Sequence, residues 1–475
     1  HKKLDSEESM ETKWLAVATA LLALALPLPR TQAGSLPAYA DFSSCGAAAA
    51  GTPKLIVGQV ACQQYQSAAL GAMTAFDYYI PKDCDPSLHR LCPVIYILHG
   101  GGNNFTSMLG TAAAPTMLVF ALNNQPKADP EVGNDPWDYS TPSSWTPAPP
   151  IDAILIAPQD VTLLGGYGPF PGADGGWVDW NPRYAAGGDQ ASYATPAPRF
   201  ESHVLNEIKP YVEKYFPAGT GREWTSMYGE SLGGYGVTDM ALRHPDLFSG
   251  VAAASMVGDP LLVGVPPITI GELAALSLSL PVHLPYVELP GIVPAILGPL
   301  TPALYASSVP LNADYAYVSY AYGDPVADSA AYLGHAPDEL TTNAGAVGGE
   351  QQPLFVYRSV NDAIPWPGTS LSTATGGASG ETLAIMEGIP LTAVFAVEQV
   401  NEVFQIHPGT HTQWQPYYRD VLNDLYANLR HWDGSGAPTL PPAAFNFRTV
   451  DPAFSIWGWQ GQLSQAAPGF PKSGL

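Results

Sequence analysis

The middle of the chain alternates short apolar segments with longer stretches in which apolar residues recur at helical spacing. This alternation is typical of a mainly parallel β-sheet covered by helices. The predicted strands are Met73–Ile80, Pro93–Leu98, Ile151–Ala157, Thr225–Tyr228, Gly250–Ala254 and Leu354–Tyr357. The predicted helices are Arg199–Tyr215, Leu232–His244 and Trp414–Leu429. The sequence therefore predicts an α/β protein.

The charge balance excludes one class of partner. The chain has 19 Lys and Arg against 42 Asp and Glu, a formal net charge of −23. A nucleic acid is bound through basic groups that displace its counterions, so this chain would repel it. Charged residues make up 13% and hydrophobic residues 46%, which is enough apolar material for a large core. The 47 Gly and 48 Pro favour one α/β domain with loop insertions over several domains, because both residues interrupt regular structure.

The N-terminal region has the pattern of an export signal. Trp14–Leu28 is an uncharged apolar run of 15 residues, too short to span a bilayer comfortably as a helix. Small-residue cleavage sites end at Ala33 and Ala40. We expect residues 1–40 to be a signal peptide, although the segment before the run is not net positive. If Met10 is the start, the peptide is 10–33 or 10–40. The alternative is a buried core helix of the mature protein.

The remaining chain is predicted to be one α/β domain, 41–433, with two insertions and a C-terminal segment. The first insertion, 123–150, is a loop rich in Pro, Trp and Asn. The second, 256–345, begins with a Leu- and Pro-rich stretch that lacks Lys and Arg through Leu311. This stretch is either additional packing or a cap that lines an apolar substrate pocket. Residues 434–475 resemble a linker followed by a small appendage.

Four cysteines lie in the first fifth of the chain, and an even number of them in an exported protein indicates disulfides. Of the three possible pairings we favour Cys45–Cys62 with Cys84–Cys92, because the second bridge would clip the connection between two predicted strands. Metal binding is the weaker alternative, since the sequence contains neither a C-x-x-C pair nor a neighbouring His cluster. The disulfides and the export signal together predict a secreted or cell-wall-associated protein without a stable membrane span.

A G-x-S-x-G-G motif, Gly229–Gly234, lies between a predicted strand and a predicted helix. A sharp strand-to-helix turn brings backbone segments close together, which demands glycine on both sides of the turn, and it exposes the central hydroxyl of Ser231. The motif alone is weak, because it is expected by chance about 0.3 times in a chain of this composition. Other features must therefore support it.

Two features do so. The first is the His-Gly-Gly-Gly segment directly after the strand Pro93–Leu98, whose free backbone N–H groups can point at an oxyanion. The alternative is a flexible glycine turn. We expect His99 to be a structural hydrogen-bonding residue and not a base, because it precedes this turn.

The second feature is His411, which precedes the last predicted helix. A nucleophilic serine needs a base, and a histidine at this position gives the order Ser, acid, His. His407 is the nearest competitor for that role. His203 and His244 fall within predicted helices, where we expect them to pack.

The segment 62–430 resembles the putative-esterase family of the α/β-hydrolase superfamily. That family contains the S-formylglutathione hydrolases, the feruloyl esterases and the secreted mycolyltransferases of actinobacteria. The matching stretches, in order, are PVIYILHGGG, RFESHVLNEIKPYVEKYF, YGESLGGYGVTDMALRHPDLFSGVAAAS and HPGTHTQWQPYYRDVLNDL. The last stretch, with Asp179-Trp180 and Asn401–Phe404 upstream, is most similar to the mycolyltransferase branch. The glycine-rich oxyanion loop departs from that branch.

The resemblance implies an α/β-hydrolase fold with a cap insertion and a set of site residues. It implies that Ser231 is the nucleophile, that His411 is the base, and that the backbone N–H groups of Gly101 and Leu232 form the oxyanion hole. The acid stays open between two residues. Asp362 follows the predicted strand Leu354–Tyr357, the usual place for a triad aspartate, whereas Glu381 matches the position of the mycolyltransferase glutamate. We favour Asp362.

These expectations lead to a secreted serine esterase that forms a covalent acyl-enzyme and needs no metal or cofactor. Its partner would be a small-molecule, lipid or aryl ester. One alternative is an acyltransferase, in which a sugar or glycerol hydroxyl replaces water. An alternative of another class is a non-catalytic cell-surface binding protein, because a fold does not guarantee an activity. The acyl chain, the alcohol and the oligomeric state are not determined by the sequence.

Overall fold

The structure is a computed structural model of the 475-residue chain. It describes residues 45–47, 55–84, 90–101, 103–123, 150–160, 176–181, 198–257, 322, 329–337, 339–341, 354–361, 381, 384–385, 388, 391–392, 394–395, 400–407, 409–411, 413–414, 417–432 and 438–439. The expected signal peptide, most of both insertions and most of the C-terminal segment lie outside these residues.

A nine-stranded sheet forms the centre of the molecule, with the strand order β1-β2-β3-β5-β4-β6-β7-β8-β9. Strand β3 pairs antiparallel with β2 and with β5, and the strands from β5 through β9 are parallel to one another. The strands are β1 (Gly46–Ala47), β2 (Val60–Ser67), β3 (Ala72–Tyr79), β4 (Val94–Leu98), β5 (Ile154–Pro158), β6 (Thr225–Glu230), β7 (Gly250–Ala254), β8 (Phe355–Asn361) and β9 (Asn401–His407).

Helices cover both faces of this sheet. They are α1 (Phe105–Leu109), α2 (Met117–Leu122), α3 (Phe200–Ser202), α4 (Lys209–Tyr215), α5 (Leu232–Arg243), α6 (Ser329–Leu333) and α7 (Tyr418–Ala427). A π-helical stretch, His203–Ile208, joins α3 to α4, so the predicted helix Arg199–Tyr215 is one helical run. The mainly parallel sheet with flanking helices confirms the predicted α/β-hydrolase fold.

Alternate residues of the central strands enter two separate cores. Val94, Tyr96 and Leu98 of β4 pack with α3, α4 and α5 on one face. Ile95 and Ile97 pack with α1, α2 and α7 on the other face. Because successive side chains of a strand point to opposite faces, a strand buried on both faces must be apolar throughout. This burial explains the uninterrupted apolar strands that are visible in the sequence.

The chain order reverses at β4. From β4 the chain passes to β5 on one side and then to β6 on the other. Ligands of open α/β sheets bind at the carboxyl ends of the strands where such a reversal occurs. The loops that follow β4 and β6 carry the glycine-rich segment and Ser231, so both motifs meet at this point.

Two disulfides join the predicted pairs. Cys45 is bonded to Cys62 and Cys84 to Cys92, with Cα–Cα distances of 4.9 and 5.6 Å. The first ties the segment of β1 to β2, and the second clips the connection between β3 and β4. The favoured pairing is therefore confirmed.

The described part of the 256–345 insertion docks on helix α5. The hydroxyl of Tyr322 lies 2.5 Å from that of Tyr235, and His335 Nδ1 lies 2.9 Å from Asp239 Oδ2. Its Leu- and Pro-rich part lies outside the described residues, so the cap interpretation stays a prediction. Near the C-terminus, β10 (His431–Trp432) and β11 (Pro438–Thr439) form a small antiparallel pair. Within the described ranges, no helix has the length and apolarity that crossing a membrane requires.

Candidate active site

Ser231 occupies a strained turn between β6 and α5. Its φ is 55° and its ψ −120°, a conformation that L-residues rarely adopt. Glycines make the turn possible: a Cβ on Gly229 would lie 2.1 Å from the carbonyl oxygen of Gly233, and a Cβ on Gly233 would lie 2.1 Å from that of Leu98. The motif therefore requires glycine at both positions for a steric reason, as its spacing predicts.

His411 contacts Ser231 from the loop after β9. The distance between His411 Nε2 and Ser231 Oγ is 2.8 Å. Gly409, with a φ of 137°, begins this loop. The loop is held by Asn361 at the end of β8, whose side-chain amide donates to the carbonyl of Thr410 at 2.7 Å.

Glu381 is the carboxylate that contacts the base. Its Oε2 lies 3.1 Å from His411 Nδ1, the ring nitrogen that faces away from Ser231. The Glu381 side chain is fully buried, whereas 16% of the His411 side chain remains exposed. Asp362, which the sequence favoured for this position, lies outside the described residues. The structure therefore brings together Ser231, His411 and Glu381.

The second oxygen of Glu381 has its own donors. Its Oε1 accepts a hydrogen bond from Ser255 Oγ at 2.9 Å and another from the backbone N–H of Asn361. Ser255 in turn accepts from the indole nitrogen of Trp414 at 2.8 Å. We did not predict Ser255 or Asn361 as site residues, although each ends or follows a parallel strand, the position from which α/β enzymes draw their site residues.

The loop after β4 lies directly against Ser231. A Cβ on Gly100 would lie 3.0 Å from the Cβ of Ser231 and 3.1 Å from the carbonyl oxygen of Glu230. Gly101 follows in the same turn. Leu232 is the first residue of α5, where backbone N–H groups have no acceptor within their own helix. The predicted oxyanion residues therefore belong to the two turns that adjoin Ser231, Gly101 to the loop after β4 and Leu232 to the start of α5.

His99 supports this loop through buried polar contacts. Its side chain is fully buried, with Nδ1 3.0 Å from the carbonyl oxygen of Gly100 and Nε2 3.2 Å from Asp160 Oδ1. Trp177 donates from its indole nitrogen to the carbonyl of His99 at 3.1 Å. These contacts match the structural role expected for His99.

The competing histidine points elsewhere. His407 lies in β9, stacks on Tyr417 at 3.7 Å between ring centroids and contacts the hydroxyl of Tyr357 at 3.2 Å. Burial lowers its pKa to about 3, since desolvation penalises the charged imidazolium. A histidine that stays neutral and buried in this way is poorly placed to act as a base for Ser231.

Glu230, the residue before Ser231, is a second buried carboxyl group near the site. It accepts a hydrogen bond from Tyr228 at 2.8 Å, and Tyr418 is a further hydrogen-bonding partner. Burial outweighs these bonds and raises the pKa of Glu230 to about 7. The neutral acid is therefore a major form of this side chain near neutral pH.

One group of side chains has the composition of a metal site. Ligand atoms of Glu201, Asp239 and His335 lie within 4.8 Å of one another. Arg243 already lies among them: its guanidinium bonds Glu201 and lies 3.3 Å from His335 Nδ1 and 3.7 Å from Asp239. Arg243 thus occupies the centre of the group, and His244 Nε2 lies 2.6 Å from Glu201, so these side chains form an ion-pair network that joins α3, α5 and the insertion.

Comparison with known proteins agrees with this geometry. Residues 173–303 match the family model described as putative esterase. The rat S-formylglutathione hydrolase is 24% identical over 206 residues, which are 42% of this chain and 57% of that protein. The chain thus spans less than two thirds of this curated relative.

Solved structures of esterases are also similar. An S-formylglutathione hydrolase from Agrobacterium tumefaciens is 13% identical, with 79% of this chain and 99% of that chain covered at a TM-score of 0.43. A ferulic acid esterase from the fungus Anaeromyces mucronatus is 16% identical, with 82% and 94% covered at a TM-score of 0.36. The strand order and the serine turn are those of an α/β-hydrolase fold, and residues 173–303 are similar to the putative-esterase family.

Proposed function

We propose that the protein is a serine esterase that hydrolyses carboxylic esters through a Ser231–His411–Glu381 triad. The observation that carries this proposal is the continuous chain of hydrogen bonds from Ser231 Oγ through both ring nitrogens of His411 to a buried carboxylate. A serine hydroxyl is a weak nucleophile until a base removes its proton, and the base needs a partner that holds its tautomer. In this chain of hydrogen bonds His411 is the base beside Ser231, and Glu381 is the partner of His411.

In the acylation step Ser231 Oγ attacks the ester carbonyl carbon while its proton moves to His411 Nε2. Glu381 accepts a hydrogen bond from His411 Nδ1 and stabilises the imidazolium that forms. The tetrahedral intermediate then collapses as His411 gives the proton to the alkoxide oxygen. The alcohol leaves, and the acyl group remains esterified to Ser231.

The negative oxygen of the intermediate would be held by two backbone N–H groups, those of Gly101 and Leu232. Support comes from the close approach of the 100–101 turn to Ser231 and from the position of Leu232 at the start of α5. Preorganised donors of this kind contribute roughly 100- to 1,000-fold to the rate.

In the deacylation step water takes the position of the alcohol. His411 removes a proton from the water, the hydroxide oxygen attacks the acyl carbon, and the carboxylic acid leaves as Ser231 recovers its proton. This chemistry needs no metal, because the imidazole and the N–H groups supply both the proton transfers and the charge stabilisation.

Acyl transfer is a second candidate, favoured by the identity of the acid. Glu381 contacts His411 and is the residue that the resemblance to the mycolyltransferase branch implied. In transfer, a sugar or glycerol hydroxyl replaces water in the second step. Incubating the enzyme with an ester and either trehalose or glycerol, and searching for the acylated product by mass spectrometry, distinguishes the two reactions.

We also infer that the protein is exported. Two disulfides support this inference, because such bonds persist in oxidising compartments and are rare in the cytosol of mesophiles. Reduction of both bonds should lower the melting temperature. An unchanged melting temperature in reductant, with thiol alkylation showing that both bonds are open, would contradict a structural role for them.

The decisive experiment is Ser231→Ala. Wild-type protein should hydrolyse p-nitrophenyl esters, and Ser231→Ala should reduce kcat by about 1,000-fold or more, because the nucleophile is removed. A matched control is Ser226→Ala, a buried serine at the far end of β6 for which the described residues provide no hydrogen-bond partner. Equal rates in wild type and Ser231→Ala would refute the proposed nucleophile.

A further inference from the structure

Beyond the triad, we propose that Ser255 and Trp414 are positioning residues that hold the Glu381 carboxylate in place against His411 and so orient the base of Ser231. This inference rests on the proposed function. Its starting point is the chain of contacts from Trp414 Nε1 to Ser255 Oγ, from Ser255 Oγ to Glu381 Oε1, and from Glu381 Oε2 to His411 Nδ1. The contacts span 2.8 to 3.1 Å.

The indole of Trp414 determines the direction of the chain. An indole N–H is a donor only, so the hydroxyl of Ser255 must accept from it. A hydroxyl has one proton, and the other neighbour of Ser255 Oγ is a carboxylate oxygen. The proton of Ser255 is therefore directed at Glu381.

The same logic extends to the histidine. Glu381 Oε1 accepts from Ser255 and from the backbone N–H of Asn361, and Oε2 faces His411 Nδ1. An ionised carboxylate is an acceptor only, so it satisfies all three neighbours as donors. The proton of the neutral imidazole must then lie on Nδ1. This tautomer leaves the lone pair of Nε2 directed at Ser231, as a general base requires.

Burial makes the arrangement effective. Ser255 and Glu381 are both fully buried, so water does not compete for their hydrogen bonds. The donors come from three different parts of the sheet. Ser255, after β7, and Asn361, at the end of β8, donate to Glu381, and Trp414, beyond β9, donates to Ser255. Ser255 has a φ of 46°, which fixes the direction of its Cβ, and an alanine would keep that Cβ in place.

The kinetic test uses Ser255→Ala, Trp414→Phe and the double variant. Phenylalanine keeps an aromatic ring at the edge-to-face contact of Trp414 with His411 but removes the N–H. Loss of a hydrogen bond to a charged group should lower kcat of Ser255→Ala about tenfold with KM unchanged. Trp414→Phe should lower kcat by less. The double variant should match Ser255→Ala, because the indole acts through that hydroxyl.

Matched controls are Ser226→Ala and Trp224→Phe, because Ser226 is a buried residue near the start of β6 and Trp224 is a buried residue just before that strand. Both should retain wild-type kcat. Additive losses in the double variant, or a wild-type kcat in Ser255→Ala, would overturn the proposal. Melting temperatures show whether each variant is folded.

A proton NMR experiment tests the chain without using activity. The low-field resonance of the His411 Nδ1 proton should shift in Ser255→Ala, and the double variant should leave it at the Ser255→Ala position. An unshifted resonance would also overturn the proposal. If the wild type hydrolyses no ester, the proposed function fails, whereas this resonance still decides whether Ser255 and Trp414 position Glu381 against His411.

Discussion

Two buried glutamates lie near Ser231: Glu230 directly precedes it in the chain, and Glu381 contacts its partner His411. Their surroundings differ. Glu381 accepts from an imidazole, a backbone N–H and a serine hydroxyl, which come from three separate parts of the chain. Glu230 is the last residue of β6, directly before the serine turn, and is hydrogen-bonded by two tyrosine hydroxyls. Burial raises the pKa of Glu230 to about 7 in spite of these bonds.

The comparison shows that burial alone does not give a carboxyl group its role. Both side chains are removed from water. Glu381 faces a ring that becomes cationic during the proposed reaction, so its negative charge has a partner. Glu230 faces neutral phenols, which stabilise a negative charge less well than a cation does, and burial raises the pKa of Glu230 to about 7. A triad acid therefore requires an oriented donor that can gain positive charge.

The largest expected effect on kcat comes from replacing Glu381, the first of the two glutamates. Glu381→Gln should lower kcat by about 1,000- to 10,000-fold with little change in KM, because an amide neither holds the Nδ1–H tautomer nor stabilises the imidazolium. Steady-state hydrolysis of p-nitrophenyl esters measures the loss.

The control for this prediction is Asp362→Asn, the residue that the sequence favoured as the acid. We expect it to retain kcat within about tenfold, because Glu381 already bonds His411. A larger loss in Asp362→Asn than in Glu381→Gln would return the role to Asp362.

The second prediction concerns stability at Glu230. Its pKa is raised to about 7 from an ordinary value of 4.5, so the folded state binds more protons than the unfolded state between these values. Its contribution is therefore fully present below about pH 4.5 and is lost as pH rises through 7, by up to about 3 kcal/mol. Glu230→Gln should remove this slope and be more stable than wild type at pH 8.

Urea denaturation at pH 5 and pH 8 measures that difference. Asp77→Asn is a matched variant in β3, where burial raises the pKa of the aspartate to about 8. It should reduce the same slope without lowering kcat, since β3 lies apart from the strand ends that carry the triad. A Glu230→Gln variant with the wild-type slope would show that Glu230 is ionised in the folded protein at pH 5.

The smallest expected effect comes from Tyr228→Phe. The hydroxyl of Tyr228 donates to Glu230 and favours the carboxylate, so its removal should raise the pKa of Glu230 further. We expect the upper end of the pH range over which stability falls to move up by about one unit, which corresponds to roughly 1.4 kcal/mol of unfolding free energy. The pH above which stability stops falling measures this shift, and a downward shift would contradict the assigned donor direction.

The central strands were predictable because they are buried on both faces and therefore apolar throughout. Strand β2 was missed because its sequence, VACQQYQS, is mostly polar and half-exposed. Strand β9 was not among the predicted strands because Asn401, Glu402 and Gln405 interrupt its apolar pattern. Glu402 is nevertheless buried, since Arg358 on the neighbouring strand donates to it at 2.7 Å. A compensating charge on another strand cannot be inferred from local pattern.

The serine turn and the glycine loop were visible in the sequence because their requirements are local. A Cβ at Gly229 or Gly233 would overlap backbone atoms, so the motif itself records the close approach. The placement of Ser231 against His411 followed from the order of the motifs along a parallel sheet.

By itself, the sequence determined the α/β class, the serine turn and the glycine loop after β4, and it favoured the disulfide pairing that the structure contains. The tertiary structure decided which carboxylate faces His411 and which residues surround it. Asp362 and Glu381 are both acidic residues between β8 and His411, and sequence position does not distinguish them. A hydrogen bond forms only where the folded chain brings donor and acceptor together, here near the ends of β7 and β8. Glu381 is 126 residues from Ser255 and 20 residues from Asn361 in the chain, and it bonds both.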